Sequence, residues 1–285
     1  MHIKLSTQRF STQAALITSV LLVSACACTS PGVSPPASPS LTPERIAELV
    51  ASPDRSEADR SNDKRRQPAQ MLAFIGVRPG MVALDLSAGG GYTTELLARS
   101  VGPSGRVYGQ SAPRVPRNPA VAPEGGAAPA ASAPAAPVGL AARAAKPNVG
   151  NIMVVVQAFE SPVPAELASN GLDLVTLMFN YHDLGHLGVD RAKMNRAVFA
   201  ALKPGGLYVI ADHSGRPGTG ISESGTLHRI EESFLRAEVE KAGFKLVAEG
   251  NFLRNTNDPR DQNTPTPPQP KDEFVLKFVK PAAAP

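Results

Sequence analysis

Between Val82 and Ala98 the chain reads VALDLSAGGGYTTELLA: an apolar run ending near an acid, three consecutive glycines, then the apolar spacing of a helix. This strand, glycine loop and helix bring unhindered backbone N–H groups and a positive helix end toward one ligand position. The loop lacks the Gly-Lys-Ser/Thr ending of a phosphate loop, and its glycines are spaced differently from the dinucleotide fingerprint. Further short apolar strands are predicted at Arg106–Gln110, Ile152–Gln157, Leu172–Phe179 and Leu207–Asp212, with helices at Asp190–Leu202 and Leu227–Ala242. Two alternating segments, Phe244–Phe252 and Glu273–Lys280, close the chain. Strands that alternate with helices predict an α/β domain: a Rossmann-like, seven-stranded, mainly parallel sheet with helices on both faces and its ligand at the strands' carboxyl ends.

The ends and the middle of the chain follow other rules. Residues 1–25 combine a short basic start with an apolar run from Ala14 to Ala25, which is the grammar of a signal peptide. That run is too short for a membrane-spanning helix, which needs about 20 apolar residues. Val23-Ser24-Ala25-Cys26 resembles a bacterial lipobox, so Cys26 is expected to be lipidated and to anchor the protein to a membrane on the periplasmic side of the cell envelope. Residues 26–40 are rich in Ser, Pro, Gly and Ala and read as a tether. The domain then runs over residues 41–285, starting with the helix signal Thr42-Pro43-Glu44. It is interrupted at 112–147, where 14 Ala and 8 Pro predict a loose, dispensable surface insertion with at most a helical stub at Val138–Lys146.

Composition narrows the chemistry. The net charge of +4 falls to +2 once Lys4 and Arg9 leave with the signal, which supplies no basic field for nucleic acid. Cys26 and Cys28 are the only cysteines, so the folded part has no thiol for disulfides, metal ligation or nucleophilic attack. The charged run Arg55, Asp59, Arg60, Asp63 and Arg66 reads first as a solvated helix face, with closure over the ligand cleft as the alternative.

DLSAGGGYTTELL, LKPGG before the fifth strand and the two closing strands together resemble a class I S-adenosylmethionine-dependent methyltransferase. DRSNDKRRQPAQMLAF, FNYHDLG, LKPGGLYVIADHSG and TLHRIEESFLRAEVEKAGF narrow the resemblance to a group of exported bacterial predicted methyltransferases. The class I resemblance covers Pro68–Pro281 apart from the insertion. It implies S-adenosylmethionine as cofactor and a small-molecule or envelope acceptor. Asp85, Ser87, Gly89, Gly91 and Asn180 would line the cofactor, with Ser87 replacing the usual first glycine of the loop. Gln110 stands where many relatives place a carboxylate for the ribose hydroxyls, and Gln157 where an Asp often meets the adenine amine. Tyr181, His182 and Asp183 would lie beside the transferred methyl group, Tyr181 as an aromatic face and His182 or Asp183 as a proton acceptor.

Two other readings use the same residues. A noncatalytic ligand-binding lipoprotein keeps the fold without the reaction. A metal-dependent envelope enzyme would use His182, His186 and His213. Gly185 within HDLGH weakens the helix that would align two such ligands, so the methyl-transfer reading assigns no metal ligand.

Overall fold

The computed structural model describes residue 2 and residues 39–113, 139–263, 265 and 269–282. The signal peptide, the Cys26 anchor, the tether up to residue 38 and positions 114–138 of the insertion lie outside the described residues. Among the described residues no helix is long and apolar enough to cross a membrane.

Three helices precede the sheet. In α1 (Pro43–Val50) the Thr42 hydroxyl accepts from the Arg45 N–H at 3.3 Å, Pro43 opens the first turn, and Ile46 and Leu49 are buried. Ser56 caps α2 (Glu57–Arg66) in the same way, with Glu57 and Asp59 in the first turn and Lys64, Arg65 and Arg66 in the last, as the helix dipole favours. Pro68 opens α3 (Pro68–Ile75), which ends at Gly76 with φ 74°.

The sheet contains β1 (Val82–Leu86), β2 (Arg106–Ser111), β3 (Ile152–Val156), β4 (Leu172–Met178), β5 (Leu202–His213), β6 (Lys245–Gly250) and β7 (Glu273–Val279). Their order is β3-β2-β1-β4-β5-β7-β6, and only β7 runs against its neighbours. The period-two pattern sorts side chains between two cores. Ala83, Val107, Leu174 and Val275 face one, with Met71, Ile75 and Leu97; Leu84, Val175, Leu177 and Phe274 face the other, with Val198, Leu235 and Val239. The first core is completed by α4 (Tyr92–Val101), and the second by α7 (Arg191–Ala201) and α8 (Glu232–Lys241), while the short helices α5 (Leu140–Ala144) and α6 (Asp183–His186) stand near the loops.

Two expected boundaries move. β5 begins at Leu202, not Leu207, because Leu202 already pairs with Leu172 before the Pro204-Gly205-Gly206 turn, which the register shift between Leu172 and Leu174 accommodates. α8 begins at Glu232, not Leu227, because the backbone before it is engaged with the end of β5: the Ile230 N–H donates to the His213 carbonyl at 3.1 Å, and its carbonyl accepts from Gly215 at 2.7 Å. Buried Arg229 also leaves the helical path to pair with Asp258 at 2.8 Å.

The end of the insertion is not loose. The expected stub forms as α5, where Leu140 and Arg143 are both buried, so the reading of 112–147 as dispensable surface chain fails for its final residues. The alanine-rich composition hid this because one arginine supplies most of the attachment.

Candidate functional site

β1 is flanked by β2 on one side and β4 on the other, so the chain order reverses at its carboxyl end, where a crevice opens in such sheets. The crevice here has a volume of about 460 Å³, within the range of about 300–1,000 Å³ usual for small-molecule sites. Its floor is the glycine loop and its far wall is Met178, Phe179 and Asn180 at the end of β4. Asp59, Asn62 and Arg66 of α2 also line it, so one side of the charged helix faces the cleft, while Arg60, Lys64 and Arg65 stay exposed as a solvated face. Arg55 holds α2 there with a two-pronged pair to Asp63 at 2.7 Å, and the Tyr92 hydroxyl donates to Asp63 at 2.6 Å.

The loop's shape is set by side chains from three strands. Asp85 is buried and accepts from the Thr94 hydroxyl at 2.6 Å and the Thr176 hydroxyl at 2.7 Å. Burial pushes its carboxyl up to about 6, against the pull of those two hydroxyls. Ser87 takes φ 53°, the left-handed backbone that glycine adopts at less cost. It is held there by its hydroxyl contact with Asn180 and by its N–H, which donates to Gln110 Oε1 at 3.0 Å. Phe179, with φ 60°, is likewise left-handed; its N–H donates to the Ala211 carbonyl at 2.7 Å.

The three glycines differ in purpose. A Cβ on Gly90 would meet nothing within 4 Å, and one on Gly89 only the Ser87 carbonyl at 3.9 Å, so both face open cleft. A Cβ on Gly91 would strike Arg143 Cδ at 2.8 Å and Leu140 Cδ1 at 2.9 Å. Gly91 therefore makes room for α5, and it does not line the cleft. Arg143 reaches over the loop, donating to the Gly90 carbonyl and to Asp59 at 2.5 Å and to Glu95 at 2.6 Å.

Arg66 has a different role. It is half-buried, its guanidinium lies 4.3 Å from the Phe179 ring centroid, and burial lowers it to about 10. Among the described residues it donates no hydrogen bond and forms no ion pair, so a buried charge faces the cleft without an acceptor. Sequence reading put Arg66 at the cleft only as the alternative to a solvated face, because its neighbours Lys64 and Arg65 give the same signal of a helix end.

Several expected residues are placed elsewhere. Gln110 is fully buried behind the loop, accepting from Ser87 and donating to the Gln157 carbonyl at 2.6 Å, so neither end of its amide is free for a ribose. Gln157 does not line the cleft; its amide nitrogen faces the Ser161 and Val163 carbonyls at 2.8 and 3.1 Å. Tyr181 points into the second core, where its hydroxyl donates to Glu238 at 3.0 Å and accepts from Asn195 at 2.9 Å.

Beyond Asn180 lies a histidine cluster that the cleft does not include. His182 Nδ1 is 2.6 Å from Asp212 and its Nε2 is 3.0 Å from Asp183. Burial would lower His182, but the two carboxylates outweigh it and raise it to about 9, while His182 and His228 hold Asp183 down at about 2. His228, with φ 52°, places Nδ1 2.9 Å from Asp183, and Asn180 donates to the other Asp183 oxygen at 2.6 Å. His186 is turned toward Ser224 at 3.0 Å. His213 stands 2.9 Å from Glu273 without a hydrogen bond; burial lowers His213 to about 3 and raises Glu273 to about 7.

The strand order and the switch-point cleft define the class I methyltransferase fold. No protein-family model and no curated protein matches the chain. Solved structures do: a SAM-dependent methyltransferase from Aquifex aeolicus is 18% identical with a TM-score of 0.51, over 84% of this chain and 99% of that one. An arsenic(III) S-adenosylmethionine methyltransferase from Chlamydomonas reinhardtii is 16% identical with a TM-score of 0.50, over 85% of this chain and 75% of that one. At these identities the likeness is one of fold.

Proposed function

We propose that the protein transfers a methyl group from S-adenosylmethionine to a small-molecule or envelope acceptor. The observation that carries this reading is the pairing, in one cleft at the sheet's switch point, of an open glycine backbone with the Arg66 guanidinium, which lacks an acceptor among the described residues. The cofactor fits this donor set: an amino acid carboxylate would complete Arg66, and Asp85 stands below the loop as a negative charge toward an ammonium group. When bound, S-adenosylmethionine supplies an electrophilic methyl group on a sulfonium sulfur. Gly89 and Gly90 leave the backbone unobstructed, Asn180 braces the loop through Ser87, and α2 lines one side of the cleft. Without a metal ion the two carboxylates beside His182 outweigh its burial and favour its protonated form, so it is not the proton acceptor first expected of it. The same reading places the domain in the bacterial cell envelope, as an exported lipoprotein tethered through Cys26.

The test is calorimetry of the full chain with S-adenosylmethionine and its demethylated product. Arg66→Ala and Gly89→Val are expected to stay folded by circular dichroism and bind at least about tenfold more weakly, a loss of about 1.4 kcal/mol or more. Binding that is equal in wild type and both variants would put the site elsewhere. Complete absence of binding would favour the noncatalytic reading.

A further inference from the structure

The histidine cluster poses a problem of donors and acceptors. Both ring nitrogens of His182 face carboxylate oxygens, Asp212 at 2.6 Å and Asp183 at 3.0 Å. A neutral imidazole carries one N–H and satisfies one of them. Asp212, fully buried, also accepts from the His182 backbone N–H at 2.7 Å and from the His213 N–H at 2.8 Å, which fixes its position and assigns it the Nδ1 proton. Nε2 is thereby directed at Asp183 Oδ1, an approach that is favourable only with a cation between them, either the proton of an imidazolium or a metal ion in its place. Asp183 Oδ1 meets a second ring nitrogen, His228 Nδ1, at 2.9 Å. Two imidazole nitrogens and one carboxylate oxygen, all within 4.8 Å of one another, thus converge on one point.

We propose that His182 Nε2, Asp183 Oδ1 and His228 Nδ1 bind a divalent transition-metal ion of the zinc type, with Asp212 as the outer carboxylate that orients His182. The ligand types are those of three-ligand zinc sites, whose remaining position takes water or a substrate oxygen. Bonds of about 2.0–2.1 Å in tetrahedral geometry separate ligand atoms by about 3.3 Å, so the pairs at 2.9 and 3.0 Å open by a few tenths of an ångström, and the two ring nitrogens, which lie within 4.8 Å of each other, have to settle to the same separation. The Asp212–His182 pair is the carboxylate–histidine arrangement that fixes tautomer and ring orientation in metal sites. Access is through the outer side: the His228 side chain is 39% exposed and that of Asp183 23%, whereas His182 is enclosed at 4%. A proton on His182 occupies the cation's place when metal is absent, so binding releases it. His186 keeps its hydrogen bond to Ser224 and stays outside the ligand set. The inference is independent of the methyl-transfer reading, because the ion lies beyond Asn180 from the glycine loop.

The full chain, stripped with chelator and kept reduced, is titrated with Co²⁺ and then with Zn²⁺. One equivalent of Co²⁺ should produce visible absorption that Zn²⁺ abolishes, without the near-ultraviolet band of thiolate ligation that Cys26 or Cys28 would cause. Asp183→Asn and His228→Asn should each weaken binding at least tenfold; asparagine tolerates the left-handed backbone at 228 and so protects folding. Asp212→Asn should weaken it by about 10–100-fold. His186→Ala should leave it unchanged. Failure of wild type to bind either ion, or binding that survives both Asp183→Asn and His228→Asn, would overturn the site. Loss on His186→Ala with retention on His228→Asn would overturn the ligand assignment.

Discussion

Arg143→Ala should unlatch α5 from the glycine loop. The guanidinium makes two contacts to Asp59, at 2.5 and 2.8 Å, one to Glu95 at 2.6 Å and one to the Gly90 carbonyl at 2.5 Å. The Asp59 side chain is 6% exposed and that of Glu95 1%. Glu95 would keep Arg99 and Lys146, whereas the Asp59 carboxylate would lose the only ion pair it has among the described residues. Removing one member of a buried pair costs about 3–5 kcal/mol, chiefly through the charge left behind. In a domain of this size each kcal/mol lowers the melting temperature by about 2–4 °C, so the expected fall is roughly 6–20 °C. The sign with pH follows from Asp59 and Glu95. Burial raises both, but the cations around them win and hold both below their ordinary values. Their contribution is present above the unfolded carboxylate range and is lost as pH falls through the lowered values. The gap between wild type and variant should therefore narrow in acid. Placing Arg143→Ala in an Asp59→Asn background should cost less than it does alone, by about 0.5–3 kcal/mol. Thermal unfolding followed by circular dichroism reads all three effects. A fall under about 2 °C at neutral pH, or a gap that stays constant into acid, would refute the latch.

Asp85→Asn isolates the opposite case, a carboxyl raised by burial to about 6. The native state gains from the neutral form below about pH 4 and loses that gain as pH rises through 6, so the variant should gain on wild type over that window, by up to about 3 kcal/mol. Denaturant melts across this range check it, and parallel curves would count against it. Tyr181→Phe should cost about 1–2 kcal/mol of stability, by stranding the buried Asn195 amide while Glu238 keeps Arg191, yet leave calorimetric affinity for S-adenosylmethionine unchanged. A loss of affinity at constant stability would return Tyr181 to the cleft. Cys26→Ser should block lipidation and leave an unprocessed or mislocalised precursor; mass spectrometry of the wild-type N-terminus showing cleavage elsewhere and no acyl chain would refute the anchor.

What could be read along the chain was whatever depends on neighbours in sequence. The alternation of strands and helices, the caps at Thr42 and Gly76, and the loop from Asp85 to Gly91 all have that character, and the sheet follows from them. The face a residue presents after a strand ends is another matter. β4 stops at Met178, and the left-handed turn at Phe179 breaks the strand's period, so no counting of alternate positions tells that Tyr181 turns into the core while Asn180 meets the cleft. Gln110 sits at the expected strand end, but whether its amide points outward or back depends on the Gln157 carbonyl, 47 positions away. Arg143 and Asp59 are 84 positions apart, and neither carries a local sign of the other. His182, His186 and His213 are visible in the sequence as a group. That His228 and not His213 joins His182 depends on the chain leaving the helical path at 228–231 to bond the end of β5.

The Gln110 amide joins the Ser87 N–H to the Gln157 carbonyl and so spans the gap between the mouths of β1 and β3. A carboxylate at this position would hold only one end of that span, since it has no hydrogen to offer the carbonyl. The amide is thus a crossbar that sets the loop before any ligand arrives. Fixing one backbone residue costs about 1–2 kcal/mol in conformational entropy, and a loop ordered during folding spares a ligand that cost. The neutral side chain gives up a grip on a visiting molecule and leaves a site with its shape set in advance, so encounter depends on how readily α2 admits the ligand and not on the loop finding its form.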